Sequence, residues 1–179
     1  MHWPGSETEP FNRFRLERLL TTRVFGRQLV TLPRTTSTND LAKELALQGA
    51  PEGTVIVADE QTAGRGRMER RWLAPPGTCL LCSILFRPAL SLPQVNWLTM
   101  LCSMAAADAV EKTSALQVTL KWPNDLIIQS SISPPTSSNW SKLAGVLTET
   151  GITGQRLDFA VVGMGINAVS YTHLRAHET

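Results

Sequence analysis

Four short β-rich runs separated by turns make up most of the second half of this chain. They cover residues 117–122, 125–128, 142–148 and 157–162. Strands that follow one another this closely pair most easily through tight turns, in sheets that carry helices packed on one side. The pattern therefore predicts an α+β fold with a mixed, largely antiparallel sheet and helices packed on one side of it, and not an alternating βαβ fold.

Two helices and three further strands are predicted before these runs. The first helix can be capped by Ser37 or Thr36, and Gly49 with Pro51 ends it. The second helix runs from about residue 93 to 112. Its helical spacing predicts a buried face made of Val95, Leu98, Leu101, Ala105 and Ala109. The additional strands are expected at residues 28–32, 54–59 and 79–86.

Composition indicates a soluble globular protein of one main domain. The chain has 179 residues, and its net charge of +2 is too small for non-specific binding to DNA. The longest uncharged run, residues 88–107, is interrupted by prolines and polar residues, so we expect no membrane span. The three cysteines are an odd number, and the first ten residues lack the apolar core of a secretion signal. We therefore expect a cytoplasmic location.

Two residue types exclude several chemistries. Histidine occurs only at His2, His173 and His177, so a hydrolase that depends on an imidazole base is not expected. Cys79 and Cys82 have the spacing of half a zinc site, but no second pair completes one, and both lie in an apolar run. We interpret them as packing residues of a strand and assign no residue as a metal ligand.

A segment rich in glycine and arginine follows the strand predicted at 54–59. Residues 64–72 read GRGRMERRW and contain four arginines and a single glutamate. Glycine lets backbone N–H groups approach an anion closely, and arginine adds a planar fork of donors. The segment predicts a loop that binds phosphate or carboxylate, although a solvated basic turn is the alternative for so short a motif.

Three further motifs place polar groups near strand ends. KWPND at 121–125 sets a lysine, an amide and a carboxylate around one tight corner, and KLAG at 142–145 sets a lysine near a glycine. GMGIN at 163–167 is expected to finish a strand. Its glycine spacing also fits a dinucleotide-binding motif, but the helix and the acidic residue which that motif requires do not follow in this sequence.

Together with Ser37-Thr38-Asn39 and Gln61, these motifs resemble in order and spacing the catalytic domain of biotin protein ligases, the biotin–[acetyl-CoA-carboxylase] ligases. The resemblance covers residues from about 30 to 168. It implies a fold related to class II aminoacyl-tRNA synthetase and lipoate ligase catalytic domains. We expect a lead segment at 1–27, too short for a helix-turn-helix domain, a catalytic domain at 28–169 that is incomplete, and a tail at 170–179 unlike the family.

The resemblance also implies roles for individual residues. Lys142 would be the central catalytic cation, assisted by Arg67. The residues implied in biotin binding are Ser37, Thr38, Asn39, Gln61, Gly64, Arg65, Gly66, Arg67, Lys142, Gly145 and Gly163. Those implied in nucleotide binding are Arg67, Arg70, Trp72, Lys121, Asn124, Asp125, Lys142 and Asn167. Core packing is the alternative for Trp72 and Trp122, and helix capping is a further role for Ser37 and Thr38.

The activity that the resemblance implies is ATP-dependent conversion of biotin to biotinyl-5′-AMP, followed by transfer to a lysine of a biotin carboxyl carrier protein. Biotin, ATP and Mg²⁺ would take part, with no DNA or membrane partner. Because a carboxylate and a triphosphate repel each other, cations must offset that repulsion in the transition state. The alternatives are a lipoate or octanoate ligase or transferase of the same fold, and a non-catalytic remnant that binds biotin.

Overall fold

The computed structural model describes residues 12–68, 70–129 and 140–168. Within them the strands are β1 Leu29–Thr35, β2 Val55–Gln61, β3 Cys79–Phe86, β4 Val118–Lys121, β5 Asp125–Gln129, β6 Trp140–Thr153 and β7 Arg156–Asn167. The helices are α1 Arg13–Leu19, α2 Thr38–Leu47 and α3 Asn96–Thr113, with a 3₁₀ turn at Leu92–Val95. Predictions for the three histidines, for the tail at 170–179 and for residues 1–11 lie outside the described residues.

The seven strands form one sheet in the order β1-β2-β3-β7-β6-β5-β4. β1 and β2 pair in parallel, as their connection through α2 permits, and every other neighbouring pair is antiparallel. This confirms the predicted α+β class and the mixed, largely antiparallel sheet. The parallel pair brings the end of β1, the start of α2 and the end of β2 to the same end of the sheet. Ser37-Thr38-Asn39, Gln61 and the start of the basic loop therefore lie close together.

Helices cover both faces of the sheet. Along β7, Phe159 and Val161 pack with α2, whereas Ala160 and Val162 pack with α3. Successive side chains of a strand point to opposite faces, so the two helices lie on opposite sides. The prediction that helices pack on one side is therefore wrong. The physical reason is that four consecutive apolar residues in a central strand need cover on both faces.

The predicted face of the long helix α3 is buried only in part: the prediction is confirmed for Leu98 and wrong for Leu101, Ala105 and Ala109, which are exposed. Leu98, Ser103, Ala106 and Ala107 are buried, whereas Leu101 is 60% exposed. Because α3 carries apolar residues nearly all the way round, spacing alone could not fix which side meets the sheet. The face that is buried carries the small residues Ser103, Ala106 and Ala107, which allow the helix to approach the sheet closely. No helix among the described residues is both long and apolar enough to cross a membrane.

Candidate active site

Three of the predicted residues lie where α2 begins. Ser37, Thr38 and Asn39 are all buried there, against β3 and β7. Ser37 occupies the N-cap position with an extended backbone, but its side chain makes no capping hydrogen bond. The predicted capping role of the Ser37 hydroxyl is therefore wrong, and its side chain lines a cavity instead.

A fully buried serine that the sequence analysis missed holds this group together. Ser83 Oγ lies 2.8 Å from Thr38 Oγ1 and 2.6 Å from Asn39 Oδ1, both of which accept from it. Gln61 Oε1 accepts from the Thr38 amide at 2.7 Å and from its hydroxyl at 3.0 Å. We call these four residues and Ser37 the polar head. The available signal was that Ser83 is the lone hydroxyl in the apolar run of β3.

Glycines in the middle of β7 form the floor of the cavity. Gly163 and Gly165 pair with β3 on one side and β6 on the other, and β7 ends at Asn167, so the expectation that GMGIN finishes the strand is confirmed. A Cβ at Gly163 would overlap the carboxamide of Asn39. A Cβ at Gly165 would lie 2.5 Å from the Trp72 ring. The absence of side chains here makes room for the polar head and for the indole.

The indole of Trp72 covers this floor. It is 5% exposed, packs with Cys79 and Leu81, and its Nε1 is buried without a partner among the described residues. Trp72 thus belongs both to the core and to the cavity lining. Trp122 is 82% exposed, so core packing is wrong for that residue. Because a buried donor without an acceptor is costly, the Trp72 N–H is suited to a ligand acceptor.

Lys142 enters the site through a β-bulge in β6. Leu126 of β5 pairs with Ala144 and the next residue pairs with Lys142, so Leu143 is an extra residue. The ammonium lies 3.0 Å from Asp125 Oδ1 and 5.4 Å from the centre of the Trp72 ring. Asn167 donates from Nδ2 to the Lys142 carbonyl at 3.0 Å. These contacts bring the KWPND, KLAG and GMGIN motifs together around Lys142.

The first arginine of the basic loop is held by carboxylates. Arg65 donates to both oxygens of Asp40 at 2.6 Å, and its Nη2 lies 3.1 Å from Glu149 Oε2. Lys43 Nζ lies 3.0 Å from Asp40 Oδ1 and 2.7 Å from Glu149 Oε1. These partners were not expected from the sequence. Asp40 and Lys43, three residues apart on α2, were a visible signal, whereas nothing local pointed to Glu149.

These contacts shift the ionisation of all four groups. The hydrogen bond from Arg65 is the main reason why the pKa of Asp40 falls to about 2, and the same bond raises the pKa of Arg65. Burial alone would raise the pKa of Glu149, but bonds from Lys43, Asn39 and Arg65 outweigh it and lower that pKa. Burial opposes the charge on Lys43 as well, yet its two carboxylate partners raise its pKa. The cluster is thus fully ionised at neutral pH.

The rest of the loop turns back over the cavity. The Gly66 amide donates to the Arg70 carbonyl at 2.6 Å, and the Trp72 amide donates to the Gly64 carbonyl at 2.9 Å. Arg67 Nη1 donates to Asn124 Oδ1 at 3.3 Å, which joins the loop to the KWPND corner. The loop therefore spans the cavity from the polar head to the Lys142 side.

Most, but not all, of the predicted site residues come together. Those that line the common cavity are Ser37, Thr38, Asn39, Gln61, Arg65, Gly66, Arg67, Trp72, Asn124, Gly145 and Gly163. Gly64, Lys142, Asp125 and Asn167 directly adjoin it. Lys121 is exposed and lines a separate groove beside α3, and Arg70 is outside the lining. The prediction for Cys79 and Cys82 is confirmed, since both are buried in β3 with free thiols.

Comparisons with known proteins agree with this geometry. The sequence matches the biotin/lipoate A/B protein ligase family over residues 31–167. It is 38% identical over 164 residues to the bifunctional ligase/repressor BirA of Bacillus spizizenii, a match that covers 92% of this chain and 46% of the relative. The chain therefore spans about half the length of that relative.

Two solved structures share the fold. The biotin protein ligase of Aquifex aeolicus in complex with biotin and ATP aligns with a TM-score of 0.62 and 30% identity, over 86% of this chain and 59% of that one. The biotin protein ligase of Leishmania major in complex with biotinyl-5-AMP aligns with a TM-score of 0.64 and 28% identity, over 85% and 63% of the two chains. The family match includes every motif from Ser37 to Asn167, and this chain belongs to the biotin/lipoate A/B protein ligase family.

Proposed function

We propose that this chain is the biotin-activating region of a biotin protein ligase, a biotin–[acetyl-CoA-carboxylase] ligase. It would convert biotin and ATP to biotinyl-5′-AMP and pass the biotinyl group to a lysine of a biotin carboxyl carrier protein. The observation that carries the proposal is that the buried polar head lies at one end of the cavity and the Lys142 ammonium adjoins its other end, beside Gly145. A ligand with a polar ring and a distant carboxylate matches both ends.

In the first step an oxygen of the biotin carboxylate attacks the α-phosphorus of ATP, and the bond from that phosphorus to the bridging oxygen breaks as pyrophosphate leaves. Negative charge concentrates where the two anions meet. Lys142 supplies a cation there, and Arg67 reaches the same region from the loop, so both would lower the repulsion in the transition state. In the second step a lysine amine of the carrier protein attacks the biotinyl carbonyl carbon, loses a proton and displaces AMP.

The polar head favours biotin over lipoate or octanoate. The ureido ring of biotin offers a carbonyl acceptor and two N–H donors, which match the hydroxyl and amide groups of Ser37, Thr38 and Asn39. These groups are buried. Thr38 and Asn39 keep their hydrogen bonds within the protein, but the apolar end of an octanoyl chain would displace water from their polar surface and offer no donor or acceptor in return, which disfavours it. The names of the related ligases point the same way.

Mg²⁺ would enter with the nucleotide. Among the described residues, no group of three or more histidine, cysteine, aspartate or glutamate side chains is placed to hold a metal ion. Mg²⁺ at nucleotide sites commonly rests on phosphates with one or two carboxylates. Asp125, at the KWPND corner beside Lys142, is a carboxylate of that kind. When bound, Mg²⁺ would neutralise charge on the departing pyrophosphate.

A mixture of acids tests the proposal and its alternatives together. The intact chain is incubated with ATP, Mg²⁺ and equal concentrations of biotin, lipoate and octanoate, and the adenylates formed are identified by mass spectrometry. We expect biotinyl-5′-AMP alone. Lipoyl- or octanoyl-AMP would reassign the substrate. Biotin binding in calorimetry without any adenylate would mean a non-catalytic biotin-binding protein, and the carrier lysine would then receive nothing.

A further inference from the structure

A continuous chain of hydrogen bonds starts in the polar head. Gln61 Oε1 accepts from Thr38, whose hydroxyl accepts in turn from Ser83 at 2.8 Å. The Ser83 hydroxyl also reaches Asn39 Oδ1 at 2.6 Å. The carbonyl side of the Asn39 amide is therefore occupied from within the head.

The other side of the same amide leads out to the basic loop. Asn39 Nδ2 donates to Glu149 Oε2 at 2.8 Å, and that oxygen also accepts from Arg65 Nη2 at 3.1 Å. The backbone from Gln61 to Arg65 then returns to the starting point. The result is a closed ring through side chains of α2, β2, β3, β6 and the loop, and Glu149 is its link between the head and the loop.

Glu149 determines which way the Asn39 amide points. A carboxylate only accepts hydrogen bonds, so it requires the NH₂ group of Asn39 and excludes its carbonyl. A flipped amide would bring two acceptors together at Glu149, whereas the Ser83 hydroxyl, which can donate or accept, tolerates either orientation. Because a Cβ at Gly163 would overlap this amide, there is also little space for it to shift. Together with the Leu147 carbonyl, which accepts from the same Asn39 Nδ2 at 3.3 Å, Glu149 thus fixes both the place and the direction of a group that we propose to contact biotin.

We propose that Glu149 is a positioning residue of the ligase reaction, which holds the Asn39 amide in one orientation and anchors Arg65 at the start of the loop, so that the polar head and the loop are coupled. This inference rests on the proposed function for the identity of the ligand. The ring itself does not depend on that identity. Glu149 acts through Asn39 and Arg65, and no direct contact with the substrate is required.

Lys43 provides a matched control for a merely structural role. It contacts the same carboxylates as Arg65, with Nζ 2.7 Å from Glu149 Oε1, but it lies outside the ring. Replacing Lys43 by methionine removes one charge from the cluster and leaves each bond of the ring in place. Glu149→Gln also removes one charge, but it changes the ring itself. The new side chain either loses its bond from Arg65 or presents an NH₂ group to the NH₂ group of Asn39.

Tryptic cleavage after Arg67, Arg70 and Arg71 tests the coupling without any ligand; cleavage after Arg65, the fourth arginine of the loop, is left out because the variants change Arg65 or its contacts directly. We expect Glu149→Gln to speed cleavage at these three sites by about tenfold, the ratio that follows from losing a bond to a charged group. Lys43→Met should leave the rate within about twofold of the unaltered protein. Equal rates for the two variants would overturn the inference. If Glu149→Gln does not fold, Arg65→Gln breaks the neighbouring link and must give the same faster cleavage.

Calorimetry with biotin completes the test. Biotin should bind about tenfold more weakly to Glu149→Gln than to Lys43→Met. An affinity unchanged by Glu149→Gln would overturn the positioning role even if biotin binds well. If the unaltered chain binds no biotin, the proposed function fails, and the coupling is then decided by the cleavage rates alone.

Discussion

Lys142 and Gly145 lie on the same face of β6 although they are three residues apart. A Cβ at Gly145 would lie 3.3 Å from Lys142 Nζ. In a regular strand, residues three apart point to opposite faces, and the extra residue Leu143 removes that difference. Without the bulge, Lys142 would face α3. The bulge points it towards the cavity instead, with its ammonium beside Gly145, which has no side chain.

Lys142→Ala should nearly abolish adenylate formation. The ammonium is the cation proposed to stabilise charge as the carboxylate meets the α-phosphate, and we expect the rate of adenylate formation to fall about 10²- to 10³-fold. Single-turnover formation of biotinyl-5′-AMP measures this. Lys112→Ala, which removes an exposed lysine from α3, is the matched control. Equal rates for Lys142→Ala and the unaltered chain would refute the assigned role.

Arg67→Ala should mainly loosen retention of the adenylate. Arg67 crosses to the far side of the cavity through the bond from Nη1 to Asn124 Oδ1 at 3.3 Å, which closes the loop over that end. We expect release of biotinyl-5′-AMP to accelerate about tenfold while its synthesis falls much less. A chase with unlabelled biotin gives the release rate. Arg34→Ala, on the edge strand β1, is the control, and slower synthesis with unchanged release would contradict the prediction.

Gly163→Ala should destabilise the protein and prevent biotin binding. The added methyl group would overlap the Asn39 amide, and forcing an extra carbon into a packed site costs about 1 to 3 kcal/mol of unfolding free energy. Urea unfolding and calorimetry measure the two effects. Adding Asn39→Ala should restore much of the stability, since it removes the overlap, but not the affinity for biotin. Full affinity in Gly163→Ala would show that the floor is not close to the ligand.

Acid should weaken the charge cluster at the start of the loop. The pKa of Asp40 is lowered to about 2 by Arg65, and that of Glu149 is also lowered. A lowered folded-state pKa means that the contribution is complete above the unfolded-state value of about 4 and is lost as the pH falls towards 2.

Urea unfolding between pH 6 and pH 2.5 tests this dependence. Asp40→Asn should be less stable than the unaltered chain by about 1 kcal/mol near neutrality, a modest figure because the group is partly exposed. The difference should shrink steadily down to pH 2.5, where Asp40, with a pKa of about 2, is still partly ionised and a part of the difference remains. A difference that stays constant over this range would contradict the assignment.

Local patterns predicted those parts of the fold that neighbouring residues determine. The end of α2 before Gly49 and the burial of Cys79 and Cys82 follow from glycine and apolar runs, and α2 begins after Ser37 as expected, although that side chain makes no capping bond. Which face of α3 is buried could not be predicted, because apolar residues lie on all sides of that helix and only its contact with the sheet decides which of them are covered.

The candidate site shows the same limit. The motifs identified most of the residues that line the cavity. The contact between Arg65 and Glu149 could not be predicted, because the two residues are 84 positions apart in sequence. Ser83 was hidden for another reason: a single hydroxyl in an apolar strand has no recognisable pattern. The bulge at Leu143 depends on pairing with β5, which no single strand reveals.

Biotin-dependent exchange of labelled pyrophosphate into ATP tests the central claim most directly. This exchange occurs when biotinyl-5′-AMP forms reversibly in the cavity, and it requires no carrier protein. We predict that the intact chain with Mg²⁺ incorporates label when biotin is present, that lipoate and octanoate do not replace biotin, and that Lys142→Ala loses the exchange. Absence of exchange in the unaltered chain at saturating biotin and ATP would contradict the account.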